Sequence, residues 1–517
     1  MLKAIQSLPR LALTPLRGAL QRAFGAELNP MHHLGALTIF FFWVVLVSGI
    51  YVFVFFETSI EGAYQTVEYL THTQWYLGGV MRSLHRYASD AAIVTLALHM
   101  LNEFSAGRYR GARWFSWFTG VPLLWMVFPL GITGYWLVWD QLSQYIALST
   151  SELLDVLPIF TDPMARNFLT ADSLSDRFFT LLAFLHLIGI PIFLVFGIWF
   201  HLLRLSRPKV NPPWRLALGS LGMLLVLSLL RPAQSHAPAD LSVVPHDLAF
   251  DWFYLLPFPL LDWGSPWLFW GVLLGISLLL SALPWLPPLR QAPVAVVDPG
   301  NCNGCGRCYA DCPFSAVTMQ PRNDGTRHTR IAVVDPDLCT ACGICAGACP
   351  SATPFRSLEE LVSGIDMPSF PIREMRDRSR TALADVQAPV KVLVYGCEHA
   401  IDVRDYAGAE VAAISLPCTG NLPPAFIEYA LRREDADGVF ITGCPDGDCF
   451  FRLGAAWTEA RVAGLREPHL RGNVDPQRVR IVWGAAGERA RVRNELTAFI
   501  EALRAAKASP RAADAHG

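Results

Sequence analysis

The sequence predicts a multidomain chain, in which an all-α bundle of six membrane-spanning helices precedes a small α+β domain and a small α/β domain with a parallel sheet. Three observations lead to this prediction. Apolar residues are concentrated in the first 290 of the 517 residues, all twelve cysteines lie beyond residue 301, and strand-like segments alternate with helical ones beyond residue 390. The composition, 52% hydrophobic and 17% charged, is unusually apolar for a soluble chain.

Six segments in the first part of the chain are candidates for membrane spans, because each is apolar and most are long enough to cross about 30 Å of hydrocarbon. They are residues 34–56, 79–103, 115–138, 178–203, 214–230 and 266–284. Basic residues cluster before the first span and after the second and fourth, whereas residues 57–77 contain no Lys or Arg. By the positive-inside rule, we expect a multi-pass protein of the bacterial inner membrane with its N-terminus and its C-terminal domains in the cytoplasm.

The run Cys-x-x-Cys-x-x-Cys-x-x-x-Cys-Pro occurs twice between residues 302 and 350, and this is the ligand spacing of a 4Fe–4S cluster. In two-cluster ferredoxins the fourth cysteine of each run ligates the other cluster. The expected ligand sets are therefore Cys302, Cys305, Cys308 and Cys349 for one cluster, and Cys339, Cys342, Cys345 and Cys312 for the other. Disulfides or a pair of zinc sites are the alternatives, although neither is typical of this doubled spacing. The runs predict one-electron transfer.

Four histidines in the apolar part stand at matching intervals. His85 and His99 are fourteen residues apart in the second span, and His186 and His201 are fifteen apart in the fourth. Each interval is close to four helical turns, so each pair lies on one helix face about 21 Å apart. If the two helices face each other, His85 with His186 can ligate an outer b-type haem and His99 with His201 an inner one. A proton pathway is the alternative.

Two further groups fit this haem hypothesis. Glycines repeat the fourteen-residue step in the first and third spans, where they would let a flat macrocycle approach the helix: Gly35, Gly49, Gly120 and Gly134. Arg82 and Arg86, near the outer end of the second span, are suited to binding haem propionates. Ordinary helix packing and snorkelling at the interface are the respective alternatives.

Residues 31 to about 285 resemble cytochrome b of the quinol-oxidising bc-type complexes. The resemblance rests on the histidine pairs and on two motifs, Gly78-Gly-Val-Met-Arg82-Ser-Leu-His85-Arg86 and Gly131-Ile-Thr-Gly134-Tyr-Trp-Leu-Val-Trp139-Asp-Gln141. It implies two b-type haems in a membrane bundle and binding sites for ubiquinone or menaquinone near each membrane face.

The loop after the fifth span is similar to the segment that carries the Pro-Glu-Trp-Tyr quinol motif of that family. Here the four residues are Phe250-Asp-Trp-Phe253, so that the proline is lost and the glutamate is shortened. The resemblance implies that Asp251 exchanges a proton with quinone and that Trp252 and Tyr254 border the site. An aromatic loop at the interface that contains an ordinary acid is the alternative.

The remaining four cysteines follow predicted strands in the last domain. Cys397, Cys418 and Cys444 each come near the end of a strand, and Cys449 follows five residues later. The carboxyl ends of parallel strands meet at one edge, so these thiols should converge on a metal centre, the alternative being scattered core cysteines. The segment from Gly443 to Cys449 resembles the delta subunit of methyl-viologen-reducing hydrogenase. That resemblance, over residues 390–505, implies one 2Fe–2S cluster, with zinc as the lesser option, and docking onto a heterodisulfide-reductase-type flavoprotein.

The expected organisation follows from these assignments. It comprises an amphipathic segment (1–30), a di-haem membrane domain (31–285), a linker (286–300), a two-cluster ferredoxin domain (301–356), a connector (357–389), a 2Fe–2S domain (390–505) and a flexible tail (506–517). No Gly-x-Gly-x-x-Gly follows a strand, so a soluble flavoprotein or dehydrogenase, for instance one that is heterodisulfide reductase A-like, must oxidise the primary donor.

We therefore expect an electron-transfer subunit of a donor:quinone oxidoreductase. Its other expected partners are the lipid bilayer, membrane quinone and a second copy of the chain, and no nucleic acid is expected among them. The alternatives are a docking and wiring subunit without its own quinone site, or the membrane anchor of a hydrogenase or of a complex like heterodisulfide reductase.

Overall fold

The computed structural model describes residues 2–159, 163, 167, 169–170, 173–261, 264–286, 293–355, 361–445 and 447–508. The stretch 287–292 of the expected linker, the start of the expected connector at 357–360 and the end of the expected tail at 509–517 lie outside these residues. The chain divides into two compact units. One comprises residues up to 289 except 21–27 and 204–207, and those two segments belong with the chain from 290 onwards in the second unit.

The first unit is helical. Its α-helices include Leu2–Phe24, Leu34–Phe55, Gly62–Glu68, Val80–Ser105, Trp114–Trp136, Gln141–Asp155, Asp176–Phe184, Ile190–Leu202, Trp214–Leu230, Pro257–Leu261 and Pro266–Ala282. Each of the six expected spans coincides with one or more of these helices. Among the described residues, four helical stretches are long and apolar enough to cross a membrane: Leu34–Phe55, Trp114–Trp136, Asp176–Leu202 and Pro266–Trp285.

The other two expected spans differ from these four for physical reasons. Val80–Ser105 has 26 residues and is long enough, but it carries Arg82, Arg86, Asp90 and Glu103. Trp214–Leu230 is apolar but has 17 residues, which extend about 25 Å as a helix. Length and composition therefore support several spans, and the count of six stays a prediction.

The helical stretch that carries two of the four histidines is not a regular α-helix. Between Asp176–Phe184 and Ile190–Leu202, residues Leu185–Gly189 adopt a π-helical turn, and this turn contains His186. Pro191 lies just beyond it and lacks the N–H that a regular helix would use. Single π turns of this kind are common where a helix positions a functional side chain.

The first part of the second unit is a small α+β fold with two matching halves. Val317–Pro321 pairs antiparallel with Arg330–Val334, and Val296–Val297 pairs antiparallel with Ile365–Asp366. The last pairing joins the expected linker to the expected connector, which also contains the helix Ile372–Ala384. Both segments are thus built into the fold, and two-residue strands are too short for a sequence pattern to reveal.

The two halves place the cysteine runs in equivalent turns. The short helices Arg307–Asp311 and Ile344–Gly347 follow Gly306 and Gly343, whose φ angles are 75° and 76°. Glycine suits both positions because this left-handed conformation is unfavourable for other residues. The same backbone path therefore presents the cysteines of each run.

The last part of the second unit contains a four-stranded parallel sheet, so the strand-rich C-terminal region is confirmed. Its strands stand in the order Val411–Leu416, Val392–Cys397, Gly438–Gly443 and Val479–Trp483. The helices Pro424–Arg433, Gly454–Val462 and Arg489–Ala508 flank the sheet. Contrary to the expected alternation of strands and helices, a short 3₁₀ turn connects the first two strands in sequence. The parallel arrangement brings the carboxyl ends of the strands to one edge.

Candidate haem and iron–sulfur sites

The structure brings His85 and His186 together, as the sequence predicts. Their ring centres are 6.2 Å apart, with 65° between the ring planes. Two imidazole rings that ligate one metal from opposite sides have their centres about 6 Å apart, because each metal–nitrogen bond is about 2 Å long and each nitrogen lies roughly 1.2 Å from its ring centre. The spacing of this pair therefore fits an iron atom held between the two rings.

The same two rings are oriented by backbone groups of the facing helices. The Nδ1 of His85 lies 2.9 Å from the carbonyl oxygen of Val45, and the Nδ1 of His186 lies 2.9 Å from that of Leu130. A carbonyl oxygen only accepts hydrogen bonds, so each Nδ1 must donate, and the Nε2 of each neutral ring keeps its lone pair. This is the tautomer that an axial haem ligand needs, and the hydrogen bond also fixes the ring orientation.

The second pair shows a similar pattern. The imidazoles of His99 and His201 are close enough to interact electrostatically, and the hydroxyl of Ser116 donates to the backbone carbonyl of His201 at 3.2 Å. The Nδ1 of His201 also lies 3.3 Å from the hydroxyl of Thr119. We refer to the two arrangements as the His85–His186 site and the His99–His201 site.

Each of the four predicted glycines faces one of these histidines. A Cβ added at Gly49 or Gly134 would lie 2.7 or 2.8 Å from the nearest atom of His85 or His186, respectively. At Gly35 and Gly120 the nearest imidazole atoms would be 3.4 and 3.3 Å away. From the sequence, these glycines were expected to allow close approach of a macrocycle. In the structure a side chain at these positions would meet an imidazole ring, so the glycines make room for the four histidines.

This difference in clearance predicts different outcomes for the same substitution. Gly134→Ala should force the ring of His186 to move, and overpacking of this kind costs about 1–3 kcal/mol, equivalent to haem binding weaker by roughly 5- to 150-fold. Gly35→Ala creates only an ordinary contact and should leave haem binding unchanged. The measurement is the amount of haem per chain that each purified variant retains in the presence of excess apomyoglobin. Equal retention by both would contradict the assigned role of Gly134.

Arg82 and Arg86 do not lie free for haem propionates. The guanidinium of Arg82 donates to the hydroxyls of Thr71 and Ser235 and pairs with Glu68 at 3.5 Å. Arg86 is likewise held by carboxylates. Sequence reasoning could not foresee these partners, because several of them are far away along the chain. If these arginines also bind haem propionates, each guanidinium must divide its N–H donors between a propionate and the groups that it already contacts.

Asp251 lies at the centre of a buried polar cluster. Its carboxylate accepts a hydrogen bond from Arg86 at 2.8 Å and another from the hydroxyl of Tyr135. Arg86 also pairs with Asp90, four residues later on the same helix. Sequence reasoning missed Asp90 and Tyr135 as members of the site, although an acidic residue inside an apolar span is a usable signal. This arrangement links two carboxylates through one guanidinium.

The neighbours of Asp251 differ in exposure. The side chain of Asp251 is 1% exposed and Tyr254 is 2% exposed, whereas Trp252 is 62% exposed. The hydroxyl of Tyr254 lies 2.9 Å from that of Ser89. Of the three predicted quinone-site residues, only Trp252 therefore presents its side chain at the surface, while the two others are part of the core.

The first thiol set assembles as the crossed arrangement requires. The thiol of Cys308 interacts electrostatically with those of Cys302, Cys305 and Cys349. All four cysteines line one cavity together with residues of the adjoining turns. Burial, and then the nearby thiols of Cys349 and Cys305, raises the pKa of Cys308 to about 12. Four thiols around one space are compatible with a bound cluster, because iron displaces their protons and supplies the opposite charge.

The second thiol set assembles in the same way. The thiol of Cys345 interacts most strongly with those of Cys342, Cys312 and Cys339, and less with that of Cys308, so Cys312 lies close to the cysteines of the second run. Burial raises the pKa of Cys342 to about 12. The backbone N–H of Ala316 donates to the Sγ of Cys312 at 3.2 Å. These donors and thiols fit a second cluster.

The C-terminal thiol set lies at the carboxyl edge of the parallel sheet. The Sγ atoms of Cys397 and Cys444 are 4.0 Å apart, and the thiol of Cys449 interacts electrostatically with those of Cys418 and Cys444. All four cysteines are buried. A Cβ at Gly454 would collide with the Sγ of Cys418, so the glycine leaves room for that sulfur. Within the part of the chain that the structure describes, no three His, Cys, Asp or Glu side chains are arranged to bind one common ion.

The second and C-terminal thiol sets are neighbours. Cys342 and Cys418 interact electrostatically and belong to one buried apolar cluster with Phe314, Ile344 and Phe451. Sequence reasoning missed this contact because it joins residues of separate motifs.

A buried ion pair holds the same two regions together. Arg461 bonds to Asp311, and the two side chains are 1% and 2% exposed. Arg466 also donates to Asp311, with its Nε at 2.8 Å, and its guanidinium lies 3.6 Å above the ring of Trp457. Because Asp311 directly precedes Cys312, the pair anchors the segment of this predicted ligand to the C-terminal domain.

Comparison with known proteins agrees with this division. Residues 20–208 match the family model for cytochrome b/b6/petB, residues 301–353 match that for a 4Fe–4S dicluster domain, and residues 392–506 match that for the delta subunit of methyl-viologen-reducing hydrogenase. The matches define a protein of membrane electron transfer. More particularly, the chain joins a cytochrome b-like membrane part to a 4Fe–4S dicluster-type module and a hydrogenase delta-subunit-type module, and the predicted three-part resemblance is confirmed.

Individual relatives match the membrane part. Cytochrome b6 of Synechococcus sp. (strain CC9605) is 26% identical over 187 residues, which are 36% of this chain and 85% of the relative. The cytochrome b subunit of menaquinol:cytochrome c reductase from Geobacillus thermodenitrificans is 27% identical over 214 residues, 40% of this chain and 95% of the relative. A solved structure titled "Hyperthermophilic respiratory Complex III" covers 50% of this chain and 75% of its own, with 19% identity and a TM-score of 0.40.

Proposed function

We propose that the chain is the membrane-bound electron-transfer subunit of a donor:quinone oxidoreductase. The observation that carries the proposal is that one chain matches a cytochrome b model, a 4Fe–4S dicluster model and a hydrogenase delta-subunit model, and that histidines and cysteines proposed as ligands lie close together in space. One relative is a subunit of a menaquinol:cytochrome c reductase, which favours a quinone as the redox partner of the membrane part. Menaquinone and ubiquinone are both candidates.

The proposed cofactors are two b-type haems, two 4Fe–4S clusters and one 2Fe–2S cluster. Their ligands would be the His85–His186 and His99–His201 pairs, the two crossed thiol sets, and Cys397, Cys418, Cys444 and Cys449. When bound, these groups would supply the one-electron carriers that connect a two-electron donor to quinone. The chain's own contribution is to keep the imidazoles neutral and oriented, to bury the thiols and to hold the sets at fixed distances.

The donor is proposed to be a soluble flavoprotein or dehydrogenase subunit that docks in the cytoplasm, with the chain in the bacterial inner membrane. The distribution of basic residues supports this orientation. If quinone is reduced near Asp251 on the outer side, each electron crosses the membrane, and a potential of about 100 mV changes its energy by about 2.3 kcal/mol. The position of the quinone site therefore decides whether the reaction uses or builds membrane potential.

Asp251 is the proposed proton carrier of that outer site. Its carboxylate accepts hydrogen bonds from Arg86 and Tyr135. The positive guanidinium and the phenol hydroxyl would therefore stabilise the carboxylate whenever it has released its proton. Replacing Asp251 with Asn keeps the shape but removes the titrating oxygen. General acid–base groups contribute about 10²- to 10⁴-fold, so Asp251→Asn should slow quinone reduction by roughly 100-fold or more.

The measurement is reduction of a water-soluble quinone analogue by the chemically reduced, purified chain. Asp247→Asn is the matched control, because Asp247 is exposed in the same loop and has a positive φ of 54°, which Asn tolerates well. Haem and iron content should be equal in all samples. An unchanged rate for Asp251→Asn would reject Asp251 as the proton carrier.

The near-complete burial of Asp251 favours candidate functions in which the chain has no quinone site of its own. The chain would then be a docking and wiring subunit without its own quinone site, or the membrane anchor of a hydrogenase or of a complex like heterodisulfide reductase. In that case the purified chain would show haem reduction but no turnover sensitive to quinone analogues. A hydrogenase anchor would in addition co-purify with nickel–iron subunits.

A further inference from the structure

Asn421 is a buried amide without a hydrogen-bond partner among the described residues. Its residue exposure is 0%, and both Oδ1 and Nδ2 are buried and unbonded. It ends the short 3₁₀ turn Thr419–Asn421, which follows Cys418 directly. A fully buried amide that lacks a partner costs free energy, so a fold that keeps one usually satisfies it with a bound group.

The amide lies against the second cysteine run. A Cβ added at Gly343, between Cys342 and Cys345, would lie 2.6 Å from the Cγ of Asn421. The equivalent position in the first run, Gly306, has open space around it. The two runs are alike in sequence and backbone, but only the second has an amide from another domain against its ligand turn.

The position of this amide is fixed by close backbone packing. A Cβ at Gly347 would collide with the carbonyl oxygen of Gly420, so the Ile344–Gly347 helix and the Thr419–Asn421 turn approach to backbone distance. Arg461 ties the two together, because it donates to the carbonyl oxygens of Gly420 at 2.8 Å and of Ile344 at 3.3 Å. Asn421 therefore cannot readily turn away towards solvent.

We propose that the side-chain amide of Asn421 donates an N–H hydrogen bond to a sulfur of the cluster held by Cys312, Cys339, Cys342 and Cys345, and so raises the reduction potential of that cluster above that of the first. The proposal rests on the cofactor assignment made above. A reduced cluster carries one more negative charge than an oxidised one, so a hydrogen-bond donor stabilises the reduced form more. An electron shared between the two clusters therefore resides preferentially on the cluster next to the C-terminal thiol set.

The test replaces Asn421 with leucine, which has a similar volume and no donor. In the purified full-length chain, an EPR-monitored redox titration should show one 4Fe–4S centre becoming about tenfold harder to reduce, a downward shift of about 59 mV, while the other centre is unchanged. Asn473→Leu is the matched control, since Asn473 is exposed in the same domain. Its potentials should equal those of the parent.

Asn421→Asp provides the second variant should Asn421→Leu fail to fold. It keeps the size and polarity but replaces the donor with a negative oxygen, so the downward shift should be larger. An unchanged potential in a variant with full iron content would overturn the role of Asn421, as would a shift of the other 4Fe–4S centre alone. A parent protein without two 4Fe–4S signals would instead overturn the cofactor assignment, so the two failures are distinguishable.

Discussion

Replacing His186 with alanine is expected to remove one of the two proposed haems and to leave the other in place. The imidazole of His186 faces that of His85 at a distance that suits one shared metal, and its Nδ1 is held by a backbone carbonyl, so alanine removes one of the two proposed ligands of that metal. The haem content per chain, measured as the pyridine haemochrome, should fall to about half. His99→Ala should cause an equal loss at the other site.

The control for these variants is His246→Ala, because His246 is an exposed histidine in a loop of the same unit. Its haem content should equal that of the parent. The spectra and midpoint potentials of the haem that remains should differ between His186→Ala and His99→Ala, since each variant keeps a different site. Full haem content in His186→Ala would rule out the His85–His186 site.

The crossing of the fourth cysteines predicts the second large effect. If Cys312 ligates the cluster of the second run, Cys312→Ser combined with Cys339→Ser damages a single cluster and should cost roughly four iron atoms per chain. Cys312→Ser combined with Cys302→Ser damages both clusters and should cost roughly eight. Each double variant removes two cysteines, so each serves as the matched control for the other.

Iron analysis and EPR of the reduced proteins measure the outcome. Serine is nearly isosteric with cysteine but is a much poorer ligand for iron in a cluster, so folding should be disturbed as little as the loss of the cluster allows. The reverse pattern, with the larger loss for Cys312 and Cys339, would show that each run keeps its own fourth cysteine.

The parts of the site that follow a local rule could be predicted from the sequence. The intervals between the histidines follow the helical period, the cysteine runs repeat a fixed spacing, and strand ends in a parallel sheet meet at one edge. Each of these rules depends on neighbours along the chain. For this reason the pairing of His85 with His186 and the convergence of the last four cysteines could be inferred from the sequence alone.

Features that depend on distant partners could not be predicted. Asp251 bonds to Arg86, which is 165 residues away, and Arg461 bonds to Asp311, which is 150 residues away. The sequence around each of these residues does not indicate a partner so far away along the chain. The contact of the glycines with the imidazole rings could not be predicted for a related reason, because what a Cβ would meet depends on the facing helix rather than on the glycine's own sequence.

The buried ion pair between Asp311 and Arg461 has a consequence for maturation. Asp311 stands next to Cys312, but its partner is synthesised 150 residues later, which takes roughly 10–30 s at ordinary rates of translation. The second cysteine run is complete at Cys349, well before Arg461 is made, and over that shorter interval the C-terminal domain does not cover it. Assembly factors that deliver iron and sulfide would therefore reach it most easily before the chain is finished. The rate of translation would then set the time available for cofactor delivery.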